Sequence, residues 1–117
     1  MKRDPLWELL RQYVRLRDAG KPCISCGRTY ARMDCGHYYG RGAYPHLKYD
    51  EMNVHLQCRR CNMQGNAQGF RLGLIDRYGV AALWLLELKT RMRSKYKPDK
   101  KLMAIYFKNR IKELEGV

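Results

Sequence analysis

Apolar positions recur at helical spacing at both ends of this chain and lose that spacing in the middle. Near the start, Leu6, Leu9, Leu10, Tyr13, Val14 and Leu16 fall three and four residues apart, the pattern of one buried helix face. Asp4 is placed to cap that helix, Pro5 suits its first turn, and Gly20 and Pro22 end it. From 23 to 62 the pattern predicts short strands near 32–38 and 53–57. They are joined by a loop over 39–52 whose Gly40, Gly42, Pro45 and Asp50 are turn residues. A helix is expected to start near Cys61 or Asn62 and to be short or broken at Gly65 and Gly69. Helical spacing returns over 71–78 and 80–97, divided by Gly79. Pro98 is a break, and Asp99 can cap a last helix in which Leu102, Met103, Tyr106, Phe107, Ile111 and Leu114 make one apolar stripe.

A chain of 117 residues is one domain by length, with a core small enough to need a staple. Five cysteines supply it. Cys23-Ile24-Ser25-Cys26 and Cys58-Arg59-Arg60-Cys61 are two Cys-x-x-Cys knuckles, and two such pairs give the four thiolates of a closed, structural zinc site. An odd fifth cysteine argues against a disulfide framework, and Cys35 is expected to be a buried small hydrophobe. The 31 residues between the knuckles exceed a compact zinc ribbon, so the zinc closes a long excursion that carries all three histidines. The expected fold is therefore α+β: a small zinc-stapled ββα core over 23–70, an N-terminal helix over 1–20 and basic C-terminal helices over 71–117.

The charge narrows the partner. The chain has 24 Lys and Arg against 11 Asp and Glu, a formal +13, of which a four-thiolate zinc site removes about two. Self-repulsion on this scale points to a polyanion, and nucleic acid is preferred to a membrane surface. No apolar run approaches the roughly 18–20 residues of a membrane span and no signal-peptide core follows Met1, so a cytoplasmic setting is expected. Arg41 between two glycines, Arg59 and Arg60 between the zinc ligands, and the run Lys89, Arg91, Arg93, Lys95, Lys97, Lys100 and Lys101 are the candidate phosphate contacts. Tyr38 and Tyr39 are candidates to stack on unpaired bases, and His46 is expected to be exposed. Surplus apolar positions in the C-terminal helices make a symmetric homodimer a reasonable expectation.

Within the excursion, Asp34-Cys35-Gly36-His37-Tyr38 precedes Asn53-Val54-His55-Leu56-Gln57, and Asn62 follows Cys61. Phosphodiester hydrolysis needs a base to activate water and a cation to stabilise charge on phosphate. His37 suits the base, and the hard oxygens of Asp34 and Asn62 suit Mg²⁺ or Mn²⁺. The pattern His37…Asn53…Asn62 resembles the HNH motif. With Pro22-Cys23-Ile24-Ser25-Cys26-Gly27 and Gln57-Cys58-x-x-Cys61-Asn62 it resembles the phage lambda NinG (Rap) recombination endonuclease family, from about residue 16 onward. The knuckles and Asn62 also resemble phage endonuclease VII, a Holliday-junction resolvase of the ββα-metal type. Against that family, a long N-terminal extension is expected to be absent.

The resemblance implies metal-dependent cutting of branched DNA (Holliday junctions, D-loops, flaps) during phage recombination in the host cytoplasm. It gives His37 as general base, Asn53 as the residue that pins the loop near it, and Asn62 as a metal ligand. Gly36 stands where many HNH enzymes carry a carboxylate or histidine ligand. Asp34, two residues back on the same strand face, is expected to take that role, with Gly36 leaving room for its carboxylate or a water. His55, on the opposing strand, is a catalytic candidate as metal ligand, phosphate contact or orienter of His37. Two alternatives stand beside this reading: an HNH nuclease acting on ordinary duplex DNA, and a non-catalytic zinc-containing DNA-binding module.

Overall fold

A computed structural model describes residues 3–29, 31–93, 95 and 97–116. Its elements are α1 (Pro5–Arg17), β1 (Met33–His37), β2 (Val54–Cys58), α2 (Arg59–Gln64), α3 (Ala67–Tyr78), α4 (Val80–Thr90) and α5 (Lys100–Leu114), with 3₁₀ turns at Pro45–Leu47 and Glu51–Asn53. Asp4 caps α1 as expected, its carboxylate accepting the Trp7 N–H at 3.0 Å.

β1 and β2 form an antiparallel ribbon in the register Met33–Cys58, Asp34–Gln57, Cys35–Leu56, Gly36–His55 and His37–Val54. Strand alternation gives the ribbon two unlike faces. Met33, Cys35 and His37 share one face with Val54 and Leu56, and this face packs on α1 and α5 through Leu6, Leu10, Tyr13, Val14, Phe107 and Ile111. Asp34, Gly36, His55 and Gln57 share the other. Toward it lies a second cluster of Ile24, Leu47, Phe70, Leu74, Leu83 and Leu86, supplied largely by α3 and α4. The C-terminal helices are thus divided between the two sides, α5 returning to pack on α1.

The outer edge of β2 is closed mainly by side chains. Fully buried Asp18 accepts the Leu56 N–H at 3.1 Å, and Arg17 donates to the Val54 carbonyl at 2.6 Å and to the Glu51 carbonyl at 2.8 Å. Ile24 N–H adds a bond to the Leu56 carbonyl at 3.2 Å. Burial alone would raise the Asp18 carboxyl, but Arg17 at 2.8 Å and the Leu56 N–H outweigh it and hold the group below the usual carboxylate range.

Helix boundaries depart from the sequence expectation where the knuckles intervene. α2 begins at Arg59, ahead of Cys61, because the Cys58 sulfur caps it by accepting the Cys61 N–H at 3.4 Å. α3 begins at Ala67 and runs through Gly69 and Gly73 without a break, capped by Asn66 on the Gly69 N–H at 3.0 Å. These glycines serve contact: a Cβ at Gly69 would lie 2.0 Å from the Ser25 carbonyl oxygen, and one at Gly73 2.0 Å from that of Ile24. Their absent side chains let α3 lie directly on the first knuckle.

The helix expected over 80–97 ends at Thr90, where the Arg91 and Met92 N–H groups turn back onto the Leu88 and Lys89 carbonyls, both at 3.1 Å. Ser94 and Tyr96 of that range lie outside the described residues, as do Met1, Lys2 and Val117 of the expected domain bounds. In α5 the buried stripe is narrower than expected: Phe107 and Ile111 are buried and Met103 half-buried, while Leu102, Tyr106 and Leu114 are exposed. Fewer apolar positions suffice because α5 leans on α1 along a single line of contact.

Gly73→Ala is expected to lower stability by about 1–3 kcal/mol, since its methyl meets backbone, which cannot rotate away. Thermal melts of zinc-loaded wild type and variant check this, and an unchanged midpoint would contradict the close packing of α3 on the knuckle.

Candidate functional site

The four knuckle sulfurs, Cys23, Cys26, Cys58 and Cys61, lie within 4.8 Å of one another. A tetrahedral zinc with Zn–S bonds of about 2.3 Å spaces its sulfurs about 3.8 Å apart, and Cys26 Sγ is 3.7 Å from Cys58 Sγ. N–H groups already point at these sulfurs. Those of Cys58 and Ser25 donate to Cys23 Sγ at 3.1 and 3.4 Å, and the Asn66 amide donates to Cys61 Sγ at 3.6 Å. Burial opposes ionisation of Cys23, yet the N–H groups bring its thiol down to about 7. Cys61, pressed by burial and by its neighbouring thiols, is pushed up to about 12. Four thiols this close resist losing their protons together unless a cation joins them, so the donor set fits zinc. Cys35 is half-buried on the α1 face, away from this cluster, and burial raises its thiol.

His37 ends β1 on the α1 face. Its ring stacks on Trp7, with centroids 5.0 Å apart, and its Nε2 lies 2.9 Å from the Lys48 carbonyl oxygen. A carbonyl only accepts, so Nε2 carries the proton and Nδ1 keeps the lone pair. Nδ1 is not among the buried unpartnered nitrogens. Burial lowers the affinity of His37 for a second proton, the nearby Arg41 and Lys48 charges lower it further, and the Lys48 carbonyl only partly offsets this. His37 is therefore a neutral imidazole near pH 7.

Asn53 fixes the loop around it. This fully buried amide donates to the Tyr39 and Leu47 carbonyls, both at 3.0 Å, and accepts the Tyr39 N–H at 2.8 Å. It thereby places residue 47 beside the Lys48 carbonyl that holds His37. Tyr38 and Tyr39, considered for base stacking, are half-buried and pack edge-on to each other, with Tyr38 against Phe70 and Tyr39 against Tyr44.

Across the ribbon the hard oxygens gather at Gly36. A Cβ there would lie 2.1 Å from Gln57 Oε1 and 3.2 Å from Asn62 Oδ1. The room expected for the Asp34 carboxylate is thus taken by two amides. Gln57 is held in place by donating from Nε2 to Ser25 Oγ at 2.8 Å, which ties the knuckle to the strand. Gln57 stood in the sequence only as part of a motif; its position opposite Asp34 in the register was the signal for its role. Asp34 lies on the same face, with a side chain 26 % exposed and 3.8 Å from the Arg32 guanidinium. The oxygens of Asp34, Gln57 and Asn62 suit a hard divalent cation. They do not share a ribbon face with His37. A strand separation of one or three residues sends side chains to opposite faces.

His55 cannot orient His37 or meet a phosphate. It is fully buried on the second face, its ring against Phe70 and Tyr78 and its Nε2 3.2 Å from the Tyr78 hydroxyl. Its Nδ1 is sealed without a partner, and burial, reinforced by Arg17, pushes its pKa down to about 3. His46, expected to be exposed, is buried, with Nε2 donating to the Lys89 carbonyl at 2.8 Å. Among the expected phosphate contacts, Arg41, Arg59, Arg60, Arg91, Arg93, Lys95, Lys97, Lys100 and Lys101 are exposed. Lys89 departs from that set: it is half-buried and bonded to the Asp50 carboxylate at 2.8 Å. An open groove of about 1000 Å³ between α1 and α5 adds Lys108 and Lys48 to Lys100 and Lys101, although Lys48 is paired with Asp4 at 2.6 Å. No helix among the described residues is long and apolar enough to cross a membrane.

The family model described as Bacteriophage Lambda NinG protein matches residues 3–116. Protein ninG of Salmonella phage P22 is 36% identical over 110 residues, covering 92% of this chain and 54% of that protein. Protein ninG of Escherichia phage 933W is 37% identical over 103 residues, covering 76% of this chain and 51% of that protein. Protein ninG of Escherichia phage lambda is 42% identical over 79 residues, covering 65% of this chain and 39% of that protein. The chain thus spans about half the length of the curated relatives it matches, or less. No solved structure matches it.

Elemental analysis of purified protein should find one zinc per chain, and removal with a strong chelator should abolish the far-ultraviolet circular dichroism of the fold. Retention of the fold after zinc loss would show the staple to be dispensable. Between about pH 6.5 and about 3 the unfolded chain binds a proton at His55 that the folded chain refuses, so this group's contribution is lost as pH falls through that window. From pH 6.5 to 5 the loss should be about 2 kcal/mol. Urea unfolding of zinc-loaded His55→Leu should show a correspondingly shallower acid slope, and an identical slope would contradict the assignment.

Proposed function

The chain belongs to the NinG family of bacteriophage lambda, and we propose that it is a metal-dependent endonuclease of the HNH type acting on branched DNA. The state of His37 carries this reading: a neutral ring, one tautomer fixed by the Lys48 carbonyl, and the other nitrogen not sealed. A base that must take a proton from water near neutral pH needs these three properties. Asn53 contributes as a positioning residue, since its three hydrogen bonds hold the loop that supplies the carbonyl.

In this reading His37 Nδ1 accepts a proton from water, and the oxygen attacks phosphorus in line with the departing 3′ oxygen. Products carry 5′-phosphate and 3′-hydroxyl. A Mg²⁺ or Mn²⁺ ion, when bound, stabilises charge on the phosphate, and Asp34 and Asn62 are the residues that would hold it. β1 pairs only with β2 among the described residues, and on its other edge the Arg15 guanidinium donates to the Met33 carbonyl at 3.3 Å. A phosphodiester lying along that edge is the arrangement that lets groups from both faces act on one bond. Arg41, close enough to bias the titration of His37, favours phosphate there.

The separation of His37 from Asp34 and Asn62 favours one other reading, a zinc module that binds DNA without cutting it. A synthetic four-way junction and its linear duplex, each incubated with Mg²⁺, Mn²⁺ or EDTA, divide the possibilities. The nuclease reading expects metal-dependent cleavage, faster on the junction. His37→Ala should keep zinc and DNA binding and lose cleavage by about 10²–10⁴-fold. Because burial lowers the His37 pKa, the rate should hold through pH 6.5 and decline only below it. Undiminished cleavage by His37→Ala would remove this residue from the reaction, and binding without cleavage in every metal would leave the non-catalytic module.

A further inference from the structure

α4 has two apolar sides. Leu83 and Leu86 are buried in the core, while Trp84, Leu85 and Leu88 are 64%, 55% and 52% exposed, and Met92 just beyond the helix is 37% exposed. With Ala81 these positions recur at intervals of three and four, the seam with which one helix meets another. A contiguous exposed stripe containing Trp, Met and two Leu is what the centre of an interface requires.

We propose that this stripe is the contact surface of a homodimer in which α4 packs antiparallel on α4 of a second copy. Charge selects a second copy as the occupant. Two chains of +13 repel wherever their surfaces are basic. α4 carries only Glu87 and Lys89, and Lys89 is already bonded to Asp50. The helix is therefore a near-neutral face on a basic molecule. It offers nothing to a polyanion and gives two copies a place to meet.

The flank of the stripe is self-complementary as well. Glu87 and Arg91 lie one turn apart on the same side, neither in an ion pair among the described residues. In an antiparallel pair related by a two-fold axis, like flanks face each other, so Glu87 of each copy points toward Arg91 of the other. Trp84 and the three flexible apolar side chains offer on the order of 400 Å² per copy, about half of the roughly 800 Å² per partner in a standard interface. Exposed Leu102 and Tyr106 line a neighbouring hollow that meets the one beside Leu85 across Asp50, Glu51 and Lys89, so a partner reaching past the stripe would add apolar area there.

This inference does not depend on the nuclease reading, and its test uses no cleavage. Light scattering and sedimentation of the zinc-loaded chain across micromolar concentrations should give twice the 13.9 kDa chain mass, at 1 M salt as well as at 0.15 M, because the seam is apolar. Leu85→Glu with Leu88→Glu should return the monomer while leaving zinc content and circular dichroism unchanged, and weaken association by at least about tenfold. Should that pair disturb folding, Glu87→Lys alone should weaken the dimer, and Glu87→Lys with Arg91→Glu should restore it. A monomer at every concentration overturns the proposal. So does a dimer indifferent to all of these substitutions, which would place the contact on another face.

Discussion

Cys58 is the point through which the fold is tied together. It is the last residue of β2, the cap of α2, the register partner of Met33 and one of the four sulfurs of the cluster. Binding its sulfur to those of Cys23 and Cys26 therefore fixes the end of the ribbon, the start of a helix and the beginning of the long excursion in one act. The first knuckle is in turn the seat of α3, whose glycines rest against the Ser25 and Ile24 carbonyls, and Ser25 steadies Gln57. A chain of this size with its apolar residues divided between two clusters has little cooperative core in either. A metal held by these four sulfurs would link the two sides beyond what their separate hydrophobic clusters provide.

The ribbon between those sides assigns different chemistry to each face. One face presents an imidazole whose proton is fixed and whose ring stacks on an indole; the other presents two amide oxygens crowded over a glycine, with the Asp34 carboxylate on the same face. Such a division follows from the odd spacing of Asp34 and Gly36 relative to His37, and no loop rearrangement that keeps the register can undo it. The catalytic reading must therefore bring substrate to an edge rather than into a concavity, which is consistent with a partner as large and extended as a nucleic-acid strand.

Elements marked by strong local chemistry were legible in the sequence. The Asp4 cap, both strands within a residue or two, the Asp99 cap and the four-cysteine cluster all follow from residue type and spacing. What could not be read depended on contacts between distant segments. Gly69 looks like a helix breaker until the Ser25 carbonyl is seen beside it. His46 and His55 look available until the shells of Tyr78, Phe70 and the Lys89 carbonyl enclose them. Lys89 belongs to a run of cations by sequence and to Asp50 by structure. Trp7 carries no sequence signal at all for its place against His37, because α1 must first return along the ribbon.

A two-stranded sheet has two edges on which a foreign strand could grow. On β2 that growth is blocked, since the Leu56 amide is consumed by a carboxylate and the Val54 carbonyl by a guanidinium, groups that an incoming backbone would have to displace together. On the β1 side the Arg15 guanidinium donates to the Met33 carbonyl, and the Arg11 charge lies near Cys35 on the same strand, so cations line that edge. Polymerisation through the sheet is thus discouraged by plugging on one flank and by mutual repulsion on the other.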